Sequence, residues 1–323
     1  MKTISAILCL LVPFLGMTQT IEKFSIDSGG ASATAGGIEI LYTIGEVNVQ
    51  ELSAGNIQVS EGFINGSMKI KIDPKLFLQG PILNPTSAGL MNDDLRQNTL
   101  IPTTSPYADA AVCNASVFNV TGNNAIVDWV WVELRAANDN TKLINGKSAL
   151  LQRDGDVVGL DGVSEVVMLA APTSYYVVVK HRNHLGAMSA STITLNESTS
   201  TEVDFRNSGF STFGSHAQVV LGSGDTALWS GDTNLSNQIK FSGAGNGSNT
   251  IKDYILSDPL NGFNSVTFSS SGYLNTDLNL NGLAKFSGAG NDSNIIKDNV
   301  LMHPSNGFNS PTFTINTTVP ELD

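Results

Sequence analysis

Apolar and polar residues alternate with a period of two over much of the chain, the pattern of strands with one buried and one solvated face. In the first block, residues 20–69, Ile38-Glu-Ile40-Leu-Tyr42-Thr-Ile44 and Ile57-Gln-Val59-Ser-Glu61-Gly-Phe63 alternate in this way. Gly29-Gly30, Gly36-Gly37 and Gly55-Asn56 fall between such runs, where hairpins need backbone that a Cβ would hinder. The block reads as a small β-meander.

Residues 70–205 repeat the pattern over a longer stretch. Strands are expected at 69–78, 115–120, 125–135, 148–153, 164–169, 174–181 and 189–195. In the third run Val130, Val132 and Leu134 share one face, and Trp129, Trp131, Glu133 and Arg135 share the other. With turns at Gly122-Asn123-Asn124 and Asp154-Gly155-Asp156, this spacing suggests an immunoglobulin-like β-sandwich. A long loop, Pro81–Pro106, interrupts it. Residues 206–224 read as a Gly/Ser linker with some strand character, and 317–323 as a short tail.

From residue 225 to 316 the period changes. Asp232-Thr-Asn234-Leu-Ser236-Asn237-Gln238-Ile-Lys240-Phe241-Ser-Gly-Ala-Gly-Asn246-Gly247-Ser-Asn249-Thr-Ile251-Lys-Asp253 returns 45 residues later as Asp277-Leu-Asn279-Leu-Asn281-Gly282-Leu283-Ala-Lys285-Phe286-Ser-Gly-Ala-Gly-Asn291-Asp292-Ser-Asn294-Ile-Ile296-Lys-Asp298. About two-thirds of the positions are identical, which marks a duplicated structural unit. Each copy is an oxygen-rich loop followed by a short apolar helix. The second helix, expected from about Ser293, carries Ile296, Val300 and Leu301 on one face and stops at Pro304.

A Ca²⁺ loop of the EF-hand type places oxygens at positions 1, 3 and 5, glycine at 6, a backbone carbonyl at 7 and a carboxylate at its close. The second repeat offers Asp277, Asn279, Asn281, Gly282 and the Leu283 carbonyl, with Asp292 or Asn294 to close a lengthened loop. The first offers Asp232, Asn234, Ser236 and the Gln238 carbonyl, with Asn237 at the glycine position. Gly247 replaces the closing acid there, which leaves Asn246 or Asn249 and implies a weaker site. Calcium is therefore the expected structural cofactor; the alternative is a metal-free helical hairpin whose Asp and Asn residues only make turns.

Composition narrows the class. The chain has 323 residues, only 14% of them charged, and a net charge of −12. No basic patch is present to neutralise phosphates, which argues against nucleic acid as a partner. Residues 1–19 read as a secretory signal peptide, with Lys2 before an apolar stretch, Ile4–Leu15, that is too short to span a bilayer. Removing them leaves Cys113 as the sole cysteine, so an intramolecular disulfide is excluded. No other stretch is long and apolar enough for a membrane helix.

The duplicated loop and helix resemble the dockerin type I repeat in a variant with a longer loop. That resemblance implies Ca²⁺ binding and, in a docking role, a cohesin-like partner. Docking would need an exposed apolar patch near Ile251, Ile255, Ile296 and Val300. The middle block, with Leu90-Met-Asn-Asp93-Asp94-Leu-Arg96, Asp128-Trp129-Val-Trp-Val-Glu133-Leu-Arg135 and His181-Arg182-Asn183-His184, is similar to segments of large secreted surface proteins of the Bacteroidetes, described as haemagglutinin- or adhesin-like. The resemblance implies a secreted or cell-surface protein whose partner is an extracellular protein or polysaccharide.

Other candidate chemistry reads more plainly as structure. His181 and His184 lack the further ligands that zinc needs, since His216, His303 and Cys113 lie far away in sequence. Asp154, Asp156 and Asp161 form either a tight turn or the carboxylates of a glycan hydrolase, and the turn is the simpler reading. Trp129, Trp131 and Tyr107 are either sandwich core or an aromatic platform for sugars, with core favoured. The expected function is a calcium-binding, non-catalytic adhesion or binding protein, with docking scaffold and glycan hydrolase as competitors.

Overall fold

The computed structural model describes residues 68–323 throughout and, ahead of them, the backbone of four strands: β1 (Gly30–Ala35), β2 (Ile38–Thr43), β3 (Gln50–Ala54) and β4 (Ile57–Glu61). The expected signal peptide, residues 1–19, lies outside the described residues. Strand β1 pairs with β2 and β3 with β4, both antiparallel, ending at Ala35↔Ile38 and Ala54↔Ile57. These two hairpins belong to one unit, residues 1–67, and residues 68–323 form a second.

The second unit begins with β5 (Lys69–Lys75), the single turns α1 (Gln79–Ile82) and α2 (Asp94–Gln97), and then β6 (Ile126–Ala136), β7 (Asp139–Gln152), β8 (Val157–Val158) and β9 (Val166–Leu169). Strands β10 (Ser174–His181), β11 (His184–Met188), β12 (Ile193–Thr194) and β13 (Thr201–Asp204) follow. The larger sheet runs β11-β10-β6-β7-β8, with β12 also on β10; the smaller runs β13-β5-β9, its β5–β13 pair parallel. Val130, Val132, Leu134, Val177 and Val179 from the first share a core with Ile70, Ile72, Val166, Met168 and Val203 from the second. The molecule is mainly β, with several small sheets.

Four sequence expectations change here. Residues 115–119 form a 3-10 helix rather than a strand, because the Asn114 side chain accepts from the Ser116 N–H and caps the turn. The expected strand 148–153 is the end of the much longer β7, which pairs with β6 along most of its length. The expected strand 189–195 reduces to the two residues of β12, and ahead of it β11, rich in His, Gly and Ala with little strand signal, forms because it pairs with β10 through a short turn. The expected linker is not a free tether: Phe210 packs edge-on against Phe205 with ring centres 5.0 Å apart, and β14 (Gln218–Val220) pairs with β15 (Thr226–Leu228).

The repeats contribute β16 (Gln238–Lys240), α3 (Gly247–Ser257), β17 (Ser269–Ser271), β18 (Leu283–Lys285), α4 (Asp292–Met302) and β19 (Thr314–Asn316). Their pairing is reciprocal. Strand β16 of the first repeat pairs with β19 of the second, and β17 of the first with β18 of the second. The equivalent residues Ser248 and Ser293 meet through their hydroxyls, 2.5 Å apart, as a local two-fold axis requires. Neither repeat completes a sheet alone, so the duplication is needed for the fold. Asn246 and Asn291 cap the helices by accepting from Asn249 N and Asn294 N.

Ile251, Ile255, Ile296 and Val300 are fully buried in a second core, with Leu185, Trp229, Ile239, Leu278 and Ile315. The exposed patch that docking would require does not form at those four positions. Among the described residues, no helix is long and apolar enough to cross a membrane.

Candidate functional site

The two loops share a backbone but differ in what closes them. Asn237 and Gly282, the residues expected to turn left-handed, have φ of 58° and 86°. Leu235 and Leu280 also sit at positive φ, 57° and 59°. A bulky side chain tolerates that backbone only where its surroundings impose it, at a cost of about 1–2 kcal/mol.

In the second loop the Asp277 carboxylate accepts from Asn281 N (3.1 Å) and Gly282 N (2.7 Å). Asn279 Oδ1 accepts from Asn281 N, and Asn281 Oδ1 from Leu283 N. Asp292, the first residue of α4, reaches back to accept from Leu278 N and Lys285 N, both at 2.8 Å. Both carboxylates are fully buried. Burial, and then the charge of Asp292, push Asp277 up to about 7; burial pushes Asp292 up to about 7 against the N–H groups of Lys285 and Leu278. Each carboxylate oxygen with one N–H partner keeps a lone pair, so the pair has acceptor capacity for a cation.

These residues fit Ca²⁺, whose hard oxygen ligands are carboxylates, amides and carbonyls. Asp277 and Asp292 would supply the charge, Asn279 and Asn281 amide oxygens and Leu283 a carbonyl. Asn294 takes no part: it is exposed, and Lys297 Nζ donates to it at 3.3 Å. Among the described residues, no three His, Cys, Asp or Glu side chains are arranged to hold a metal ion, so any protein charge at this site comes from two carboxylates.

The first loop fits less well. Asp232 accepts from Ser236 N and Asn237 N, as Asp277 does, and burial raises its carboxyl. The closing position is Gly247, where even a Cβ would fall 2.9 Å from Ile296 Cδ1 and 3.0 Å from Thr233 Oγ1. Of the other expected ligands, Asn246 spends its oxygen on the helix cap and exposed Asn249 accepts from Lys252 Nζ. Asn234 is exposed, and the Gln238 carbonyl accepts weakly from Ser236 Oγ at 3.4 Å. The structure leaves this loop one carboxylate.

The second loop is bound to α1 and to the β10–β11 turn by buried polar groups. Gln79 and Asn299 exchange side-chain hydrogen bonds at 2.7 and 2.8 Å, and Ser230 N donates to Gln79. Asn183 Nδ2 donates to Asp277 O at 2.7 Å. Gly80 lies against the loop so closely that a Cβ would fall 1.8 Å from Leu278 O. Gly80→Ala should therefore push the loop away and lower stability on the order of 1–3 kcal/mol. A urea midpoint unchanged from the parent would contradict that contact.

Behind this junction lies a charged relay. Asp128 is fully buried and accepts from Arg182 Nε (3.1 Å) and Tyr273 Oη (2.6 Å). His181 Nε2 lies 3.1 Å from Asp128, His181 Nδ1 lies 3.0 Å from His184 Nδ1, and His184 Nε2 accepts from Gly80 N. The partners fix the tautomers: His181 carries its proton on Nε2 and His184 on Nδ1. Burial lowers both imidazoles, that of His184 well below the ordinary histidine value. Burial opposes the Asp128 charge, but Arg182 and His181 hold its carboxyl down at about 2.

The remaining sequence candidates are structural. Asp154 accepts from Asp156 N around Gly155, whose φ is 95°, and Asp161 accepts from Val163 N and Ser164 N. His216 and His303, distant in sequence, meet edge to face with ring centres 5.6 Å apart, and Cys113 is buried. Trp129 is core, its Nε1 donating to Pro102 O, whereas Trp131 and Tyr107 line a cleft. Asp128 and Tyr273 were missed by sequence reasoning; a lone carboxylate inside the apolar run before Trp129 was the available signal. Comparison of the chain with protein-family models, characterised proteins and solved structures gives no match.

Proposed function

We propose that the protein is a secreted or cell-surface, calcium-binding, non-catalytic binding protein, in which one ion at the second repeat loop fixes that loop against the sandwich. In this reading the repeats are dockerin-like loop–helix units, and residues 70–205 are an immunoglobulin-like sandwich of the adhesin type. The observation that carries it is the buried pair Asp277 and Asp292, whose carboxyls are both pushed up to about 7. A divalent cation would replace their mutual repulsion with coordination and stabilise the folded state by mass action. Secretion rests on the charge pattern of residues 1–19 and on the resemblance to surface proteins.

Thermal unfolding of the full chain tests the reading. With Ca²⁺ about a hundredfold above its dissociation constant, stabilisation is about 2.7 kcal/mol, or roughly 5–10 °C for a unit of this size. Asp292→Asn should remove most of that shift. Equal melting temperatures with calcium and with chelator would rule the ion out.

A further inference from the structure

The outer face of the larger sheet holds an open cleft of about 550 Å³, within the range of small-ligand sites. Its floor is β6 and β10, and its walls are the first repeat loop and the C-terminal tail. The tail is pinned on both sides: Thr317 N donates to Asn237 O, and Arg135 Nη1 to Pro320 O.

Trp131 rests against Gly146, where a Cβ would fall 2.4 Å from its Cζ2, and Tyr107 lies beside it with ring centres 5.7 Å apart. The indole N–H is already satisfied by Glu133 at 3.0 Å, which leaves the ring for apolar contact. Glu133 also accepts from Lys180 Nζ at 2.6 Å and from Arg135. Lys180 therefore retains donors; Asp232 at the opposite wall is largely buried, with Oδ1 bonded to Ser236 N and Oγ and Oδ2 to Asn237 N, so its remaining acceptor capacity is on Oδ2.

We propose that this cleft binds a neutral oligosaccharide, one pyranose ring lying on Trp131 with its hydroxyls bonded to Lys180 and Asp232. The inference deepens the binding role proposed above and rests on it. The chemistry of the walls selects the ligand. An anion finds Lys180 and Arg135 already paired with Glu133 and Arg182 with Asp128, and meets Asp232. A wholly apolar peptide would cover Asp232 and the Lys180–Glu133 pair without replacing their water. A sugar ring offers an apolar C–H face and hydroxyls that both donate and accept, matching an aromatic ring flanked by an ammonium and a carboxylate. The sandwich thus gives one aromatic residue to its core, Trp129, and presents the next on the same face, Trp131, to solvent.

The test applies the full chain to immobilised neutral gluco-, galacto-, manno- and xylo-oligosaccharides, with heparin fragments and an apolar peptide as comparisons. Any neutral series that binds is then titrated while tryptophan emission is followed. The expected result is neutral-saccharide binding that weakens at least about tenfold in Trp131→Ala and in Lys180→Ala, each measured well below that variant's own melting temperature. Trp131→Phe keeps a ring and should retain part of the affinity, which guards against a variant that fails to fold. Absence of neutral-saccharide binding at millimolar ligand, binding confined to heparin or peptide, or equal affinity in all three variants overturns the proposal. Calcium binding measured on the same preparations separates the two readings: a chain that takes calcium but no sugar overturns only the cleft assignment.

Discussion

Asp128→Ala is expected to destabilise the protein by about 3–5 kcal/mol, the range for removing one partner of a buried ion pair. The loss goes beyond one contact. Arg182 would be left buried without its carboxylate, Tyr273 without its acceptor, and His181 without the group that fixes its tautomer. Since Arg182 also donates to Leu274 O and Asn183 to Asp277 O, disturbance there reaches the second repeat loop directly. Asp128→Asn keeps the shape without the charge and should fall between parent and Ala variant. Because the Asp128 carboxyl is held at about 2, below its ordinary 3.8, its contribution is present above about pH 4 and lost as pH falls through 2. A urea midpoint within experimental error of the parent would show that the relay carries no stability.

The second large effect concerns Asp277 and Asp292. Their folded carboxyls lie near 7 and their ordinary value is 3.8, so the folded chain holds these protons more tightly than the unfolded chain. Without calcium, the stability they contribute is complete below about pH 4 and is lost as pH rises through 7, on the order of a few kcal/mol for the pair. His181, His184 and His303 act in the opposite sense, since their lowered values disfavour the folded state below about 6.5. The comparison that isolates the carboxylates is parent against the Asp277→Asn/Asp292→Asn double variant, at pH 5 and pH 8 in chelator. The parent should lose stability relative to the double variant on going to pH 8, and calcium should restore it. A difference between the two proteins that does not change with pH would remove the buried pair from the account.

What the sequence made legible follows from what is local. Period-two alternation located β6 and β10 closely, because both are long, apolar-rich runs flanked by turn residues. The repeat gave the loops and helices directly, including left-handed backbone at Asn237 and Gly282. The same local signals missed what depends on distant partners. Nothing in His184–Met188 suggests a strand until β10 is beside it. Contacts between residues far apart in sequence were equally illegible: Gln79 bonds Asn299 and Ser230, and Asn183 bonds Asp277, all within the one unit of residues 68–323. At the site, the sequence supplied Asp277, Asn279, Asn281 and Asp292 as neighbours through loop spacing. It left Asp292 and Asn294 as alternatives for closure, and only the helix cap decides between them, turning Asp292 inward and Asn294 toward Lys297. Trp129 and Trp131 share one strand face, yet Trp129 is fully buried with its Nε1 bonded to Pro102 O while Trp131 is half-buried, a difference set by residues distant in sequence.

Calorimetric titration of Ca²⁺ into the full chain at pH 8 tests the central claim most directly, since it counts ions and locates them. The account predicts one ion per chain, lost in Asp277→Asn and in Asp292→Asn and retained in Asp232→Asn. No binding heat at millimolar calcium, or binding that survives both second-loop substitutions and disappears in Asp232→Asn, would contradict it.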